Sequence, residues 1–315
     1  MKVSVLILSY NFEPYIEACL LSVLTQITDF DFEVLCIDDA SSDNSASVIK
    51  ALATQHTNLH FFENKVNLDG KLSLIKIMQA STGHYLIFMD GDDLALPGKL
   101  QAMVNYLEQH PECALVYHEA ESFDSATNQT LGYWSRDFYN WQYIPQQANA
   151  EHLVKYGTFL NTSSVGFRRH DKMVDAIDGS YGLVGDYSWH ILNTMYAGGS
   201  IDFINQVYGR YRVHNNNCTS RIKSDLNRRE ACLDSQIWAC DKALALGMDN
   251  DTVAKGKAHH YFATAMYFLK LHEDARFTRF ITESATFNQF FDARHHLAWE
   301  LRENPNMARA KLFIT

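Results

Sequence analysis

The first 117 residues alternate two hydrophobic patterns. Short continuous apolar runs are typical of strands buried on both faces of a sheet, and they predict strands at 3–8, 33–37, 59–62, 85–89 and 114–117. Between them, apolar residues three and four positions apart predict helices at 14–26, 45–54, 71–80 and 98–109. Because strands and helices alternate, we predict an α/β fold with a mostly parallel sheet between helices.

The pattern changes twice after this region. Residues 118–150 lose the alternation and are rich in aromatic side chains, which suits either a lid over a binding site or a packed hairpin. Residues 151–223 mix short strands and helices, and from 225 onward the apolar spacing is helical. We therefore predict a first domain at 1–223, with halves at 1–117 and 118–223, and a helical C-terminal region at 224–315.

The charge is unevenly distributed along the 315 residues. Lys and Arg number 27 against 37 Asp and Glu, a net charge of −10, and residues 1–223 hold the whole acidic excess with 15 basic and 25 acidic side chains. A general nucleic-acid binder needs a basic surface for the phosphates, so we expect no nucleic-acid partner. An acidic protein that binds a small anion needs a cation between the two.

Cysteine spacing and hydropathy indicate the compartment. The six cysteines form no CxxC pair, which argues against a zinc ribbon. No apolar stretch reaches the ~18 residues of a membrane span, and the N-terminal run is too short for a signal peptide. We therefore expect a cytoplasmic protein. The paired histidines at 259–260 and 295–296 are expected on helix surfaces, since neighbouring residues of a helix do not face the same side.

Polar clusters follow three of the predicted strands. In parallel sheets, ligands bind beyond the carboxyl ends of the strands. The candidate residues after the first, second and fourth strands are Ser9, Tyr10 and Asn11; Asp38 and Asp39; and Asp90, Gly91, Asp92 and Asp93.

The acidic cluster at 90–93 carries the strongest chemical signal. Three carboxylates within four residues repel one another unless a cation neutralises them, and hard oxygen ligands suit Mg²⁺ or Mn²⁺. Gly91 lets the backbone approach a ligand closely. The alternative is a plain turn with a helix cap before Pro97.

Four weaker signals each have a structural alternative. Asp38 or Asp39 could accept a hydrogen bond from a nucleobase or ribose, or cap the helix near Ser45. The segment with Asn67, Gly70 and Lys71 is either a pyrophosphate-binding turn or an ordinary one. Asp186 opens a predicted helix at 186–197, as a cap or as a general base. His214 follows a predicted strand at 206–213, as a metal ligand or as a structural residue.

Taken in order, these segments resemble glycosyltransferase family 2, whose members have the GT-A nucleotide-diphospho-sugar transferase fold, a Rossmann-like sheet between helices. The resemblance covers about residues 1–220. It implies that the nucleotide-sugar is bound by Ser9, Tyr10 and Asn11, by Asp38 and Asp39, by Asn67, Gly70 and Lys71, and by Asp90, Gly91 and Asp92. It also implies that Asp92 is the main metal ligand, with Asp90 and His214, and that Asp186 is the catalytic base. Gly185 departs from the glutamate that the family usually has before this aspartate.

The resemblance implies a metal-dependent inverting transferase, hexosyl or N-acetylhexosaminyl, that uses Mn²⁺ or Mg²⁺. The donor would be a nucleotide-sugar, with a UDP-sugar favoured, and the acceptor a hydroxyl of a glycan or lipid-linked acceptor in bacterial surface polysaccharide synthesis. Residues 1–117 would then bind the nucleotide and 118–223 the acceptor. Basic residues among apolar ones at 294–311 suit peripheral contact with the inner face of a membrane, a homodimer through the C-terminal helices, or a docked structural helix.

Four other functions share parts of this pattern. A nucleotide-sugar binding protein without catalysis would keep the same motifs. A metal-dependent phosphohydrolase would place its aspartate pair after the first strand. A dinucleotide dehydrogenase would need GxGxxG after the first strand, where the chain has residues 9–12 without a glycine. A sugar nucleotidyltransferase would need a glycine-rich basic loop there.

Overall fold

The protein is represented by a computed structural model that describes residues 2–178, 185–215, 217 and 225–313. The described strands are β1 (Val3–Ser9), β2 (Phe32–Asp38), β3 (Leu59–Glu63), β4 (Tyr85–Asp90), β5 (Leu94–Ala95), β6 (Cys113–Asp124), β7 (Thr130–Tyr133), β8 (Gln147–Ala148), β9 (Val165–Arg168) and β10 (Ser200–Val213). The helices before residue 198 are α1 (Ile16–Leu24), α2 (Ser45–Ala53), α3 (Asp69–Ala80), α4 (Lys99–Gln109), α5 (Ala150–Tyr156), α6 (Met173–Asp178) and α7 (Gly185–Ala197). The C-terminal helices are α8 (Leu226–Ala245), α9 (Asn250–Lys270), α10 (Asp274–Ser284), α11 (Ala293–Glu300) and α12 (Pro305–Leu312).

All ten strands form one mixed sheet. Its order is β3-β2-β1-β4-β9-β6-β10-β5, with β7 added to β6 and β8 to β10. The strands β1 to β4 are parallel neighbours, and β9 is antiparallel to both β4 and β6, so β6 and its parallel partner β10 run in the direction of β1. The predicted fold class, a mostly parallel sheet between helices followed by a helical C-terminal region, is confirmed.

The centre of the sheet is buried on both faces because its strands are nearly continuous apolar runs. Val5, Leu6 and Ile7 of β1 are fully buried. The apolar faces of α1 and α4, for example Leu20 and Met103, pack in the same core cluster. Truncating one such residue to alanine costs roughly 2–5 kcal/mol of folding free energy. This packing therefore holds the strands, and the loops that follow them, in place.

One predicted boundary is wrong. The strand predicted to end at 117 continues as β6 to Asp124, so the alternation does not stop at 118. Residues 118–124 pair with β10 on one side, and 121–123 pair with β7 on the other. The apolar run ends at Tyr117, but the polar side chains of His118 and Glu119 that follow it are also buried in the sheet. For 118–133, the hairpin alternative is the one that the structure shows.

The chain forms two compact units. The described residues of 2–149, 158–178 and 193–217 make up the first, called here the sheet unit. Those of 150–157, 185–192 and 225–313 make up the second, the helical unit. The domain boundary predicted at 223/224 lies outside the described residues and stays a prediction. Among the residues that the structure describes, no helix is both long and apolar enough to cross a bilayer.

The helical unit has its own aromatic core. Phe268, Phe277 and Phe280 are buried together with aliphatic residues of α8 to α12. Gly256 allows α9 to approach α5, since a Cβ at this position would lie 2.5 Å from the carbonyl oxygen of Val154.

The prediction that both histidine pairs lie on helix surfaces is wrong for three of the four residues. His259, His260 and His295 are buried, while the side chain of His296 is about half exposed. Neighbours in a helix do face different sides, but α9 is covered by α5, α8 and α10 and has buried residues on several sides.

The basic residues of the C-terminal tail contact other parts of the helical unit. Arg309 forms an ion pair with Asp274, and a guanidinium nitrogen of Arg294 donates to the carbonyl oxygen of Leu312. The guanidinium of Arg302 lies 4.4 Å from the ring centre of Trp299. These contacts support the docked-helix alternative.

Candidate functional site

The loops after β1, β2 and β4 meet at one edge of the sheet. In the strand register Ser9 lies opposite Asp38, and Leu8 lies opposite Asp90. The amide of Asp39 donates to the Ser9 carbonyl at 2.9 Å, and the amide of Gly91 donates to the Leu8 carbonyl at 2.8 Å. The predicted motifs are therefore adjacent because the strands that precede them pair in register.

The first loop is braced against the second by Asn11. Its side-chain oxygen accepts from the amide of Ser42 at 2.8 Å, and its own amide donates to the Ser41 hydroxyl at 2.9 Å. Asn11 has a φ of 56°, a conformation uncommon for a residue with a side chain. Tyr10 beside it is 44% exposed, whereas Ser9 is buried and its hydroxyl has no hydrogen-bond partner in the described part of the chain.

The two aspartates of the second loop have different hydrogen bonds. Both oxygens of Asp38 are used by Ser41, whose amide donates at 2.8 Å and whose hydroxyl donates at 2.6 Å. Asp39 accepts from Asn64 at 2.8 Å and from the amide of Leu68 at 2.9 Å, and both bonds reach its Oδ1. Neither aspartate caps α2.

The loop after β3 continues directly into α3. Asn67 is exposed, and its side-chain oxygen accepts from the amide of Asp69 at 2.9 Å. The helix starts at Asp69, two residues earlier than predicted, so Gly70 and Lys71 lie in its first turn.

Three of the six non-glycine residues that have a positive φ in the described part of the chain lie in these loops. Asn11, Ala40 and Asp69 have φ values of 56°, 60° and 65°. Such conformations cost on the order of 1–3 kcal/mol each and persist where surrounding contacts hold them, often at functional sites.

Gly91 is required by packing within the protein. A Cβ on it would lie 2.7 Å from the Leu8 carbonyl oxygen and 2.9 Å from Ile16. This close approach to β1 places the following residue, Asp92, at the sheet edge, where its side chain is almost fully buried.

The structure brings Asp92 and His214 together. Asp92 Oδ2 lies 2.9 Å from His214 Nε2, and the imidazole packs against the rings of Tyr15 and Phe12. Two adjacent ligands of an octahedral ion with bonds of about 2.1 Å lie about 2.9–3.0 Å apart. The two groups form a hydrogen bond at this separation, and the same separation suits two adjacent ligands of a bound Mn²⁺ or Mg²⁺, of which imidazole favours Mn²⁺.

Asp90 does not complete a three-ligand cluster with this pair. Within the described ranges, the one trio of ligand atoms that lie within 4.8 Å of one another is elsewhere, at His110, Glu112 and Asp202. Two protein ligands suit an ion whose other ligands are substrate phosphates and water.

Asp93 is an internal anchor. One of its oxygens accepts from the amide of Arg212 at 2.8 Å, and the Arg212 guanidinium donates to the carbonyl of Asp92 at 2.7 Å. Burial, followed by the charges of Asp92 and Asp90, raises the pKa of Asp93 well above its usual range. The third aspartate of the motif thus ties the end of β10, and with it His214, to the loop after β4.

Sequence reasoning missed two buried residues behind the motif. Ser163 accepts from the amide of Asp90 at 2.9 Å, hydrogen-bonds the Asp93 carboxylate, and its carbonyl accepts from Lys99 at 2.5 Å. Burial lowers the pKa of Lys99 to about 8, against the opposing effect of Asp93. The sequence around Lys99, a lysine two residues after Pro97, does not indicate burial, because a solvent-exposed helix start has the same residue pattern. Only tertiary contacts identify it.

Asp186 lies in the first turn of α7, within the helical unit. The Tyr187 hydroxyl donates to the Leu153 carbonyl at 3.0 Å and lies 2.9 Å from His260 Nε2, which fixes this turn. One turn later, burial lowers the pKa of His190 to about 4, and the charge of Asp186 partly opposes this.

Comparison with known proteins places the chain in a family. The family model described as glycosyl transferase family 2 matches residues 4–173, more than half of the chain. The uncharacterized protein Rv1520 of Mycobacterium tuberculosis is 28% identical over 217 residues, 67% of this chain and 58% of that protein. The chain thus spans less than two thirds of the length of this relative.

Two solved structures share the fold. S. aureus TarS 1–349 in complex with UDP-GlcNAc has a TM-score of 0.65 and 15% identity, over 99% of this chain and 88% of that one. The mannosyltransferase PcManGT of Pyrobaculum calidifontis in complex with GDP-Man and Mn²⁺ has a TM-score of 0.61 and 16% identity, over 99% and 86%. The family match, together with a GT-A sheet whose strand-end loops carry the motifs, shows that the chain belongs to glycosyl transferase family 2.

Proposed function

We propose that the protein is a metal-dependent inverting glycosyltransferase. It moves a hexosyl or N-acetylhexosaminyl group from a nucleotide-sugar to a hydroxyl of a glycan or lipid-linked acceptor, in the synthesis of a bacterial surface polysaccharide. The observation that carries this proposal is the pair of Asp92 and His214 at the sheet edge, with ligand atoms 2.9 Å apart beside the strained loops.

The donor diphosphate would bind beside Asp92 and His214. When bound there, Mn²⁺ or Mg²⁺ would supply positive charge to the departing diphosphate. The chain's own residues position this pair: Arg212 and Asp93 hold it from behind. Asp90 and Gly91 belong to the same loop, and the role of Asp90 as a further ligand rests on the family resemblance.

Of the two aspartates after β2, we propose Asp39 as the contact to the nucleobase. The bonds that Asp39 accepts from the described residues reach Oδ1, so Oδ2 can accept from a base N–H. Both oxygens of Asp38 already accept from Ser41, so Asp38 holds the loop. A carboxylate acceptor suits uracil N3–H and also guanine. We favour a UDP-sugar, and TarS, a structural neighbour, was solved with UDP-GlcNAc.

The remaining loop residues complete the donor site. The exposed ring of Tyr10 offers an aromatic face near the base, and Ser9 and Asn11 shape its loop. Asn67, Gly70 and Lys71 lie around the start of α3, where helix amides and a cation favour an anion.

The proposed base is Asp186, which removes the proton of the acceptor hydroxyl. That oxygen forms a bond to the anomeric carbon as the bond to the nucleotide diphosphate breaks, with inversion. A positioned base contributes about 10²–10⁴-fold to the rate. The assignment rests on the resemblance and on the fixed first turn of α7.

A catalytically silent nucleotide-sugar binder is the second candidate, because Gly185 stands where the family usually has an acidic residue. The deciding experiment incubates the protein with UDP-GlcNAc, UDP-glucose and GDP-mannose, each with Mn²⁺ or with EDTA. Metal-dependent release of the nucleoside diphosphate is expected with one donor. Metal-dependent thermal stabilisation without any release or transfer would establish the silent binder. Absence of stabilisation by any nucleotide-sugar would contradict both candidates.

A further inference from the structure

We propose a second divalent-cation site, selective for Zn²⁺, at the opposite edge of the sheet. Its ligands are His110, Glu112 and Asp202, whose nearest ligand atoms all lie within 4.8 Å of one another. In the part of the chain that the structure describes, this is the one such trio.

The site joins two segments that are distant in sequence. His110 directly follows α4, Glu112 precedes β6, and Asp202 is the third residue of β10. Because β6 and β10 are parallel, both segments lie at the amino ends of the strands. At about 3.3 Å per residue, the course of β10 from Asp202 to His214 spans at most about 40 Å, so this site and the donor site lie at opposite ends of the strand.

Tyr106 orients two of the three ligands. Its ring stacks on the His110 imidazole with centroids 4.3 Å apart and an interplanar angle of 27°. Its hydroxyl donates to Asp202 Oδ2 at 3.0 Å. His110 Nδ1 lies 3.2 Å from Glu112 Oε1, close to the separation of two ligands around a zinc ion with bonds of about 2.0–2.1 Å. The other separations between ligand atoms are at most 4.8 Å, so a small movement of the His110 and Glu112 side chains toward Asp202 would close the site.

The buried Asp202 carboxylate provides an independent indication. The residue is fully buried, and its Oδ2 accepts from Tyr106 and, at 3.3 Å, from Gln147. Its Oδ1 has no well-aligned N–H or O–H donor among the described residues, and the weakly donating Cys113 thiol is the group beside the carboxylate. The nearby Cys113 thiol donates to the Leu115 carbonyl at 3.2 Å. A buried carboxylate oxygen without a partner is unfavourable, and a cation ligated by it would remove that cost.

Charge and ligand type favour zinc. The nearest cation, Arg168, donates to the backbone carbonyls of Leu107, His110 and Cys113. Two carboxylates and a neutral imidazole match one divalent ion. One nitrogen and two oxygens with an open fourth position suit Zn²⁺, whereas Mg²⁺ prefers oxygen ligands alone. The ion would fasten the turn between α4 and β6 to β10.

The test is Zn²⁺ binding by equilibrium dialysis of metal-free protein, together with thermal stability with and without Zn²⁺. The variants are the double variant His110→Ala/Glu112→Gln, which changes side chains that are partly or largely exposed, and His84→Ala, an exposed histidine just before β4. A third variant, Asp92→Asn, weakens metal binding at the donor site.

The double variant is expected to bind one Zn²⁺ fewer per chain and to lose at least about tenfold in affinity at this site. It is also expected to lose the zinc-dependent rise in Tm. His84→Ala and Asp92→Asn are expected to keep both the Zn²⁺ bound at this site and the rise in Tm. The same stoichiometry and Tm shift in the double variant as in the unchanged protein would overturn the proposal. A lack of zinc binding by the Asp92→Asn variant would also overturn the proposal.

Discussion

The two compact units bury ionisable side chains of opposite chemistry. The sheet unit buries the carboxylates of Asp38, Asp39 and Asp93 at the ends of its strands. Each accepts hydrogen bonds from nearby amides or hydroxyls, such as the Ser41 and Arg212 amides. These donors lower the cost of burying a carboxylate and concentrate acidic groups where a cation with a diphosphate would bind.

The helical unit buries several histidines among aromatic rings. His295 lies 4.5 Å from the Phe262 ring and bonds to the hydroxyl of Ser284 at 2.7 Å, while His260 bonds to Tyr187. Burial lowers the pKa of His260 to about 3 and that of His295 to about 4. The comparison teaches that the carboxyl groups at the strand ends of the sheet unit suit ligand chemistry. The buried neutral imidazoles of the helical unit, like that of His118 in the sheet unit, instead make stability depend on pH.

The largest expected effect is on catalysis. Asp186→Asn keeps the size of the side chain but removes the proposed base, so transfer should fall by about 10²–10⁴-fold. Donor affinity should change little, because the proposed donor contacts lie in the sheet unit. Rates of product formation and calorimetric donor binding measure the two effects separately. Transfer within about twofold of the unchanged protein would exclude Asp186 as the base.

The next effect is on metal-dependent donor binding. Removing either ligand with Asp92→Ala or His214→Ala should weaken donor binding in Mn²⁺ by at least about tenfold and remove its dependence on the ion. Asp31→Ala, a change of an exposed carboxylate just before β2 and therefore at the amino end of that strand, serves as the matched control. Calorimetry with and without Mn²⁺ tests this, and an unchanged response to the ion in both ligand variants would contradict the assignment.

Substitutions at two glycines distinguish an effect on packing from an effect on donor binding. Gly91→Ala and Gly256→Ala would place a Cβ 2.7 Å and 2.5 Å from a backbone carbonyl, so each should cost roughly 1–3 kcal/mol of stability. Gly70→Ala is the control, since the nearest atom to its Cβ would be Leu8 Cδ1 at 3.5 Å.

Both glycine variants should lower the urea midpoint, but only Gly91→Ala should also reduce donor affinity under conditions in which the protein stays folded. Equal losses of donor affinity in the two variants would show that the effect is not specific to the Asp92 loop.

The sequence predicted most of the sheet and the strand-end motifs because both are local signals. Apolar runs such as Val5 to Ile7 specify a buried strand, and polar residues directly after them mark its carboxyl end. The extension of β6 to Asp124 was missed because its partner β10 lies about 80 residues later. For the same reason, the sequence does not reveal Ser163 and Lys99, which lie behind the acidic cluster at 90–93. Long-range pairing, not local composition, buries these polar residues.

The smallest effect distinguishes two adjacent histidines. His295 is buried and neutral in the folded state, with a pKa near 4, while an unfolded histidine titrates near 6.5. The unfolded chain therefore binds more protons below pH 6.5, and stability is lost as the pH falls from about 6.5 toward 4. His295→Gln should remove part of this dependence, roughly 1 kcal/mol at pH 5.5.

His296→Gln is the matched control, because the side chain of His296 is about half exposed. Urea unfolding of both variants and the unchanged protein at pH 7.5 and 5.5 gives the comparison. The loss of stability between these two pH values should be smaller in His295→Gln and unchanged in His296→Gln. If the two variants lost stability equally on acidification, the acid sensitivity would not come from this buried ring, and the contrast between the two units would rest on His190, His259 and His260, which burial also holds neutral.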